Sequence, residues 1–582
     1  MNTRPIIDAV RARSLGLRRE TWAPNVYDVI AFILIVAILS LVAHSAGGMR
    51  APLTQLDTAP VQLDAWLLPE YALRTTSRMF AAMAASLVFT FVVATLAAKS
   101  RKAELVIIPA LDILQSVPVL GFLTFTVLFF LKLFPGSQLG AECAAIFAIF
   151  TAQAWNMAFS FYQSLRTVPR DLEEVSRHFG LSAWLRFWRL EAPFATPGLV
   201  WNAMMSMSGS WFFVVASEAI SVGDTKIALP GIGAWLALAI EQKNISAVAL
   251  AVAAIGIVIL LYDQLVFRPV VAWADKFRFE TTAAQQRPES WVYDLVRRTR
   301  LLKIALKPVS LIFDALPHKS KTARRHAVSL SPVLSRFLSV AWFAIVALVG
   351  LVAIRQIVNY VSDTLSLSDV ATAAGLGALT LARVLVLIAL ASLIWVPIGV
   401  WIGMRPTVSQ RIQPIAQFLA AFPANVLFPF AVVAIVGLRL NPNIWLSPLM
   451  VLGTQWYILF NVIAGASAFP TDLREVASMY RLRRLLWWRR VILPGIFPYY
   501  VTGALTASGG SWNASIVAEV VSWGDTKLQA AGLGSYIAQA TDDGDYHRVV
   551  LGVAVMSLYV VVLNQALWRP LYRYADRHLR MN

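Results

Sequence analysis

The chain has 582 residues, 58% of them hydrophobic, and a formal net charge of +18. Soluble proteins average about 45–50% apolar residues; here the excess is gathered into runs such as Val29–Val42, Phe80–Ala98 and Val549–Leu563, near the ~20 residues that cross a bilayer as a helix. The basic residues lie between those runs on alternate sides, so the charge marks membrane topology rather than nucleic-acid binding; a single cysteine, Cys143, excludes a disulfide framework, and the histidines form no i,i+4 pair that would hold a metal.

In chain order, the apolar pattern predicts spans at 26–46, 71–98, 105–131, 141–166, 193–221 and 246–268. No small-residue cleavage site follows the first, which reads as an uncleaved helix and not a signal peptide. Arg4, Arg11, Arg13, Arg18 and Arg19 precede it. Lys99, Arg101 and Lys102 follow the second span, and Arg170, Arg177, Arg186 and Arg189 follow the fourth. Such loops belong in the cytoplasm. The alternate segment 47–70 carries only Arg50 against Asp57, Asp64 and Glu70. A basic linker, 276–331, then carries Arg297, Arg298, Arg300, Lys303, Lys319, Lys321, Arg324 and Arg325. Within it Trp291, Leu295, Leu302 and Ile304 sit among charges, which suits an amphipathic helix on the inner membrane face or a solvated tether. Six more spans follow at 333–358, 371–403, 410–437, 444–468, 494–521 and 546–568. Both termini and the linker then fall in the cytoplasm.

The second half repeats the first. Pro169-Arg-Asp171-Leu172-Glu-Glu174-Val175 matches Pro470-Thr-Asp472-Leu473-Arg-Glu475-Val476 at an offset of 301. The same offset pairs Pro193 with Pro494, Gly209-Ser210-Trp211 with Gly510-Ser511-Trp512, and Glu218 with Glu519. It also pairs Gly223-Asp224-Thr225-Lys226 with Gly524-Asp525-Thr526-Lys527, and Gly231-Ile-Gly233 with Gly532-Leu-Gly534. Earlier, Arg78, Pro109 and Pro118 match Arg383, Pro414 and Pro423 at an offset of 305. An ungapped run of such matches defines a duplicated unit. The implied fold is an all-α polytopic membrane protein of twelve helices in two parallel six-helix repeats. The first unit covers 1–275, the linker 276–331 and the second unit 332–582. Duplicated six-helix units in one orientation enclose a path at their interface, the architecture of transporters, although a fused dimer without a path shares the pattern.

Between spans four and five each unit has a polar segment of helical pattern. Leu172, Val175, Phe179 and Leu190 recur at near-helical spacing. Asp171 and Glu173 lie in the opening turn, where acidic groups suit the helix dipole. Gly180 interrupts the helix and Pro193 is expected to start the next. These residues resemble the signature of the importer permeases of the ATP-binding-cassette superfamily: Glu-Ala-Ala, three residues, Gly, nine residues, then Ile-x-Leu-Pro. Glu174-Val175-Ser176, Gly180 and Leu190-Glu191-Ala192-Pro193 match it in spacing, as do Glu475-Val476-Ala477 and Val491-Ile492-Leu493-Pro494. The subgroup it is most similar to is the nitrate, sulfonate, taurine and bicarbonate type. The resemblance implies the type I importer permease fold in a bacterial inner membrane. It implies two cytoplasmic ATP-binding-cassette subunits seated on Asp171, Glu174, Gly180, Pro193, Asp472, Glu475, Arg481 and Pro494. ATP and Mg would be bound by those partners, since this chain shows no Gly-x-x-x-x-Gly-Lys-Ser/Thr loop. It also implies an outer substrate-binding protein. One departure is Arg481 where the first copy has Gly180; arginine does not share glycine's backbone freedom, so the second loop helix is expected to run on unbroken.

Span five carries the candidate path: Ser206, Ser210, Trp211 and Glu218, then Ser511, Trp512, Asn513 and Glu519. Small hydroxyl residues serve helix packing as well as they serve a pore. Glu218 and Glu519 fall near its outer end, and Arg78 and Arg383 lie about two turns inside the outer end of span two. Each Arg either pairs with the Glu of its own unit or snorkels to the interface. The Gly-Asp-Thr-Lys segments are outer docking surfaces or plain turns. A secondary transporter is the alternative, but it would need titratable groups at the midplane, where Ser, Gly and Trp stand instead. A membrane enzyme would need clustered catalytic groups at one depth, and the sequence has none.

Overall fold

A computed structural model describes residues 61–115, 119–222, 225–277, 290–299, 332–469, 471–482 and 484–579, together with Tyr27, Ile33 and Ser40. The span expected at 26–46, most of the linker, and Gly223, Asp224 and Pro470 lie outside the described residues. The first unit runs α1 (Leu68–Lys99), α2 (Arg101–Leu114), α3 (Val119–Leu133), α4 (Gln138–Arg166), the loop helix α5 (Arg170–His178) and α6 (Ala192–Glu218). The strands β1 (Ala219–Val222) and β2 (Thr225–Ala228) follow, then the short α7 (Ile232–Glu241) and α8 (Ile245–Tyr262). In the linker, α9 (Trp291–Arg298) exposes Trp291 and Val296 beside its arginines. The second unit runs α10 (Pro332–Ser362), α11 (Leu367–Gly403), α12 (Pro406–Ala421), α13 (Phe428–Gly437), α14 (Gln455–Ser467), the loop helix α15 (Thr471–Met479) and α16 (Leu493–Ala518). It ends with β3 (Val520–Trp523), β4 (Thr526–Gln529), α17 (Leu533–Asp542) and α18 (Tyr546–Leu563).

Eight of the described helices are long and apolar enough to cross a membrane, and two bent pairs bring the number to ten. Of the twelve expected spans, the one at 105–131 is divided between α2 and α3. Its counterpart at 410–437 is bent by 76° between Ala421 and Ala424, and the next, 444–468, by 44°. Each unit packs its own core. Trp211 and Trp235 are fully enclosed in the first, and Trp512 in the second.

Three local expectations are corrected. Pro193 does not open a helix. Helical structure already runs from Ala183, and a π-helical turn, Phe187–Glu191, carries it into α6, with Ala192 N donating to the Phe187 carbonyl. Proline has no N–H and its ring crowds the carbonyl four residues back; one wider turn absorbs both without breaking the span. The same device precedes Pro494 (Trp488–Ile492), Pro269 (Asp263–Phe267) and Pro570 (Asn564–Trp568). The second loop helix does not run on: Arg481 adopts φ 51° as Gly180 adopts φ 68°. Leu181 N donates to Ser176 O and Leu482 N to Ala477 O, so both helices close by the same left-handed cap. Span five also stops earlier than expected, at Glu218 and Ala518, and the next residues enter antiparallel hairpins with Val222 opposite Thr225 and Trp523 opposite Thr526. The two-residue turn uses Gly524 at φ 56°.

Candidate translocation site

The far end of span five from the loop helix is built around a buried carboxylate. Glu218 closes α6, and its Oε1 accepts from Thr75 Oγ1 at 2.7 Å and from Arg78 Nη1 at 2.6 Å. Its Oε2 accepts from Gly233 N at 2.7 Å, while Thr75 Oγ1 accepts from Ile232 N at 2.9 Å. The first free N–H groups of α7 are thereby satisfied, and the carboxylate lies on the positive end of that helix. Gly231 is required by crowding: a Cβ there would lie 2.4 Å from the Glu218 carboxylate. The second unit repeats the arrangement. Glu519 Oε1 accepts from Thr380 Oγ1 at 2.9 Å and Arg383 Nη1 at 3.2 Å, Oε2 accepts from Ser535 N at 3.0 Å, and Thr380 Oγ1 accepts from Leu533 N at 2.9 Å. Arg78 and Glu218 are 0% exposed and Glu519 1%, so none reaches water or headgroups. Each arginine is paired with the glutamate of its own unit, and Arg78 does not snorkel.

The units differ in one partner. Arg78 also holds Glu142 of α4 in a two-pronged contact, Nε to Oε2 and Nη2 to Oε1, both at 2.6 Å. At the position 301 residues on stands Asn443, whose Oδ1 accepts from Ala531 N at 2.8 Å; the Ala531 carbonyl in turn accepts from Arg383 Nη1 at 2.6 Å. Glu142 was missed in the sequence because it has no acidic counterpart in the second copy. Its signal was its own rarity, an ionisable residue two residues inside an apolar run.

A cavity of about 750 Å³ separates the units on the side of the loop helices. One wall is α6, through Trp201, Met204, Met205, Ser208 and Gly209, a single helical face. Span six contributes Tyr262, Asp263 and Arg268, and the second unit contributes Gln417, Phe418, Trp456 and Tyr457. Arg268 is held by Asp263 at 3.1 Å, so the wall is chiefly aliphatic and aromatic, with a few neutral hydroxyl and amide groups from Ser208, Tyr262, Gln417 and Tyr457. None of the eight residues named for the path lines it. Ser210 and Ser511 donate to carbonyls one turn back, Ser206 O and Ala507 O. Ser206 is buried. Trp211 stacks on Tyr262 and donates to its hydroxyl at 3.2 Å, and Trp512 stacks on Tyr559. Asn513 is bonded to Val119 N of the other unit. The helical face beside these residues, Ser208 and Gly209 included, was the signal that would have found the wall.

At the opposite end of α6 lie the loop helices. Asp171, Glu174, Glu475, Gly180 and Arg481 are exposed, as are the apolar Phe179 (80%) and Tyr480 (76%), while Pro193 and Pro494 are half-buried beneath them. The side chain of Asp472 lies outside the described residues.

Known proteins match this organisation in duplicate. A family described as the inner membrane component of binding-protein-dependent transport systems matches residues 86–268 and again 395–580. The nitrate import permease protein NrtB of Leptolyngbya laminosa is 29% identical over 187 residues, 32% of this chain and 63% of the relative. The bicarbonate transport system permease protein CmpB of Synechococcus elongatus is 27% identical over 186 residues, 32% and 64% of the two chains. The taurine transport system permease protein TauC of Escherichia coli is 26% identical over 192 residues, 33% and 66%. The chain thus spans a little under two thirds of the length of these relatives. With the family matched once in each half, the chain belongs to the binding-protein-dependent transport system inner membrane components, transport permeases rather than enzymes, here as two units in one polypeptide.

Proposed function

We propose that this chain forms the complete membrane path of an ATP-driven importer for a small anion of the nitrate, bicarbonate or sulfonate kind. The observation that carries the reading is the cavity between the two units, lined by spans five and six of the first and spans three and four of the second. Its mostly apolar wall, with a few neutral hydroxyl and amide groups, holds an anion weakly enough to release it, with recognition left to an outer binding protein. The relatives named for nitrate, bicarbonate and taurine support that class of solute.

In this reading the loop-helix side is cytoplasmic, as are both termini, and the chain crosses a bacterial inner membrane several times. Residues 1–275 and 332–582 act as the two permease units and 276–331 as their basic tether. α5 and α15 seat two cytoplasmic ATPase subunits: Asp171, Glu174, Glu475 and Asp472 supply charge, Phe179 and Tyr480 fill apolar recesses, and the left-handed Gly180 and Arg481 fix the exit angle. Movement of each loop passes through the π turn before Pro193 or Pro494 into span five. Glu218 and Glu519, locked to Arg78 and Arg383, transmit it to the short helices on the outer face.

The test is reconstitution of the chain with its ATPase, measuring ATP turnover against binding proteins loaded with nitrate, bicarbonate or taurine. Stimulation by one loaded protein is the expected result. A chain that retains no ATPase on purification overturns the reading.

A further inference from the structure

Apart from the contacts at the hairpin tip, Lys243 with Asp525 and Gly524 N with the Ile240 carbonyl, two hydrogen bonds between the units are each made by an asparagine. Asn425, in the turn Ala424–Leu427 between α12 and α13, donates through Nδ2 to the Phe212 carbonyl of α6 at 3.2 Å. Asn513 of α16 accepts at Oδ1 from Val119 N, the first residue of α3, at 2.7 Å. Phe212 and Asn513 are 301 residues apart and so occupy the same turn of span five. Val119 and Asn425 each lie just after the break in span three, one and two residues beyond the prolines that match at an offset of 305. The break of each unit is therefore tied to span five of the other. The asparagine stands on the break in one pair and on span five in the other.

The position of these bonds is as informative as their pairing. Along α6 the cavity wall ends at Gly209, and along α12 it ends at Ala421. Phe212 and Asn425 come next on both, so the bond lies just beyond the cavity lining on the side of the hairpins. Asn425 is 8% exposed and Asn513 9%, far from water for amides inside a membrane protein. Asn425 Oδ1 has no hydrogen-bond partner among the described residues. A dry, unpaired acceptor is unfavourable and needs an explanation. It is explained if the contact is one of two arrangements, and the acceptor gains water in the other.

We infer that Asn425 and Asn513 are the gate of the path, their two cross-unit hydrogen bonds sealing the cavity from the hairpin side. The inference rests on the permease reading above. Neutral amide bonds suit such a gate. They hold two helices in register, yet they part without stranding a charge, unlike the Arg78 and Arg383 pairs that stay within one unit. The gate opens when span five moves against the break of the opposite unit.

Cysteine labelling of the complete transporter in spheroplasts tests this without knowledge of the solute. Cys143→Ala removes the natural thiol and Ser208→Cys places a reporter in the cavity. A membrane-impermeant charged methanethiosulfonate is added outside. The parent is expected to stay unlabelled. Asn425→Leu and Asn513→Leu are each expected to raise the labelling rate about tenfold, the effect of losing one hydrogen bond that holds a closed state. Asn443→Leu, which removes an amide bonded only within its own unit, should leave the rate at the parent's level. Should the leucine variants fail to accumulate, the alanine variants are read instead. Variants that accumulate with ATPase bound and remain unlabelled overturn the gate, as does labelling of Asn443→Leu to the same degree. Uptake of nitrate and taurine is measured on the same cells. Uptake intact with labelling unchanged removes the gate alone, whereas labelling that responds as expected in a parent without ATP-driven uptake leaves the gate and removes the importer reading.

Discussion

The two charged anchors share a plan and differ in charge. In the first unit Arg78 is enclosed by two carboxylates, Glu142 and Glu218; in the second Arg383 is 11% exposed and divides its bonds between Glu519 and the Ala531 carbonyl. What they share is the set Thr, Arg, Glu and a glycine before the short helix, and that set satisfies the first N–H groups of α7 and α17. The shared part therefore positions the short helix that follows the hairpin. The extra carboxylate ties span four to span two in the first unit only. Arg78→Ala strands two buried carboxylates and should cost about 3–5 kcal/mol, the range for breaking a buried pair. Arg383→Ala should cost about 1–3 kcal/mol, because Glu519 keeps Thr380 and the Ser535 N–H. Thermal unfolding in detergent measures both, and equal losses would remove the distinction. Exchanging charges sharpens it. Arg383→Glu with Glu519→Arg should recover transport lost in the single variants, whereas Arg78→Glu with Glu218→Arg should not, since it sets a carboxylate against Glu142.

Where the anchors agree, the effects should agree. Gly231→Ala and Gly532→Ala put a Cβ 2.4 Å and 2.3 Å from the Glu218 and Glu519 carboxylates. Each should destabilise its unit by about 1–3 kcal/mol, the cost of overpacking a filled site. A difference of more than about 1 kcal/mol between them would show that one carboxylate can move aside.

These contrasts explain what was legible in the sequence. Repeat matching finds what the copies share, so Arg78 with Arg383, Glu218 with Glu519 and the Gly-x-Gly pairs all stood out. It is blind to what they do not share, and Glu142, Asn443 and Asn425 were passed over for that reason. Apolar runs locate spans but not their breaks: nothing in the hydropathy of 105–131 shows that α2 ends at Leu114, or in that of 410–437 that the chain bends between α12 and α13. The α7 and α17 helices were absorbed into loops because ten residues are too few to cross a membrane, and the first strands of the hairpins were absorbed into the ends of span five. The candidate path was drawn from polar residues on span five irrespective of face, and those on the buried face bond to their own helix, as Ser210 does, or to neighbouring helices, as Trp211, Glu218, Asn513 and Glu519 do.

Backbone handedness offers a second comparison. The loop helices end on Gly180 in one unit and Arg481 in the other, while the short helices α7 and α17 end on Lys243 (φ 54°) and Gly544 (φ 69°). The strained residue is thus basic at a different place in each unit. Arg481→Gly should stabilise the protein by about 1 kcal/mol, and Gly180→Ala should destabilise it by a similar amount, because only glycine occupies this region freely. Melting temperature checks the sign. If Arg481→Gly instead lowers ATP turnover while raising stability, the side chain is engaged by the partner rather than tolerated by the fold.

The smallest expected effect concerns the hairpin side, where the units touch through Lys243. Its Nζ lies 2.8 Å from Asp525 Oδ2 at the hairpin tip, and Gly524 N donates to the Ile240 carbonyl at 2.9 Å. Lys243 holds the Asp525 carboxyl below the usual carboxylate range. A depressed carboxylate contributes above its unfolded value, and the contribution disappears only as pH falls through the folded one. From pH 5 upward, over the ordinary carboxylate range, the contact should be independent of pH. Both side chains are largely exposed, so the pair is screened and Lys243→Ala should scarcely move the melting temperature at physiological salt. The backbone bond from Gly524 remains in that variant and should keep the hairpin in place. A large loss on Lys243→Ala, or a stability that varies between pH 5 and pH 8 and is abolished by the substitution, would instead make this charge pair, and not the asparagines further from the hairpins, the contact that holds the hairpin side shut.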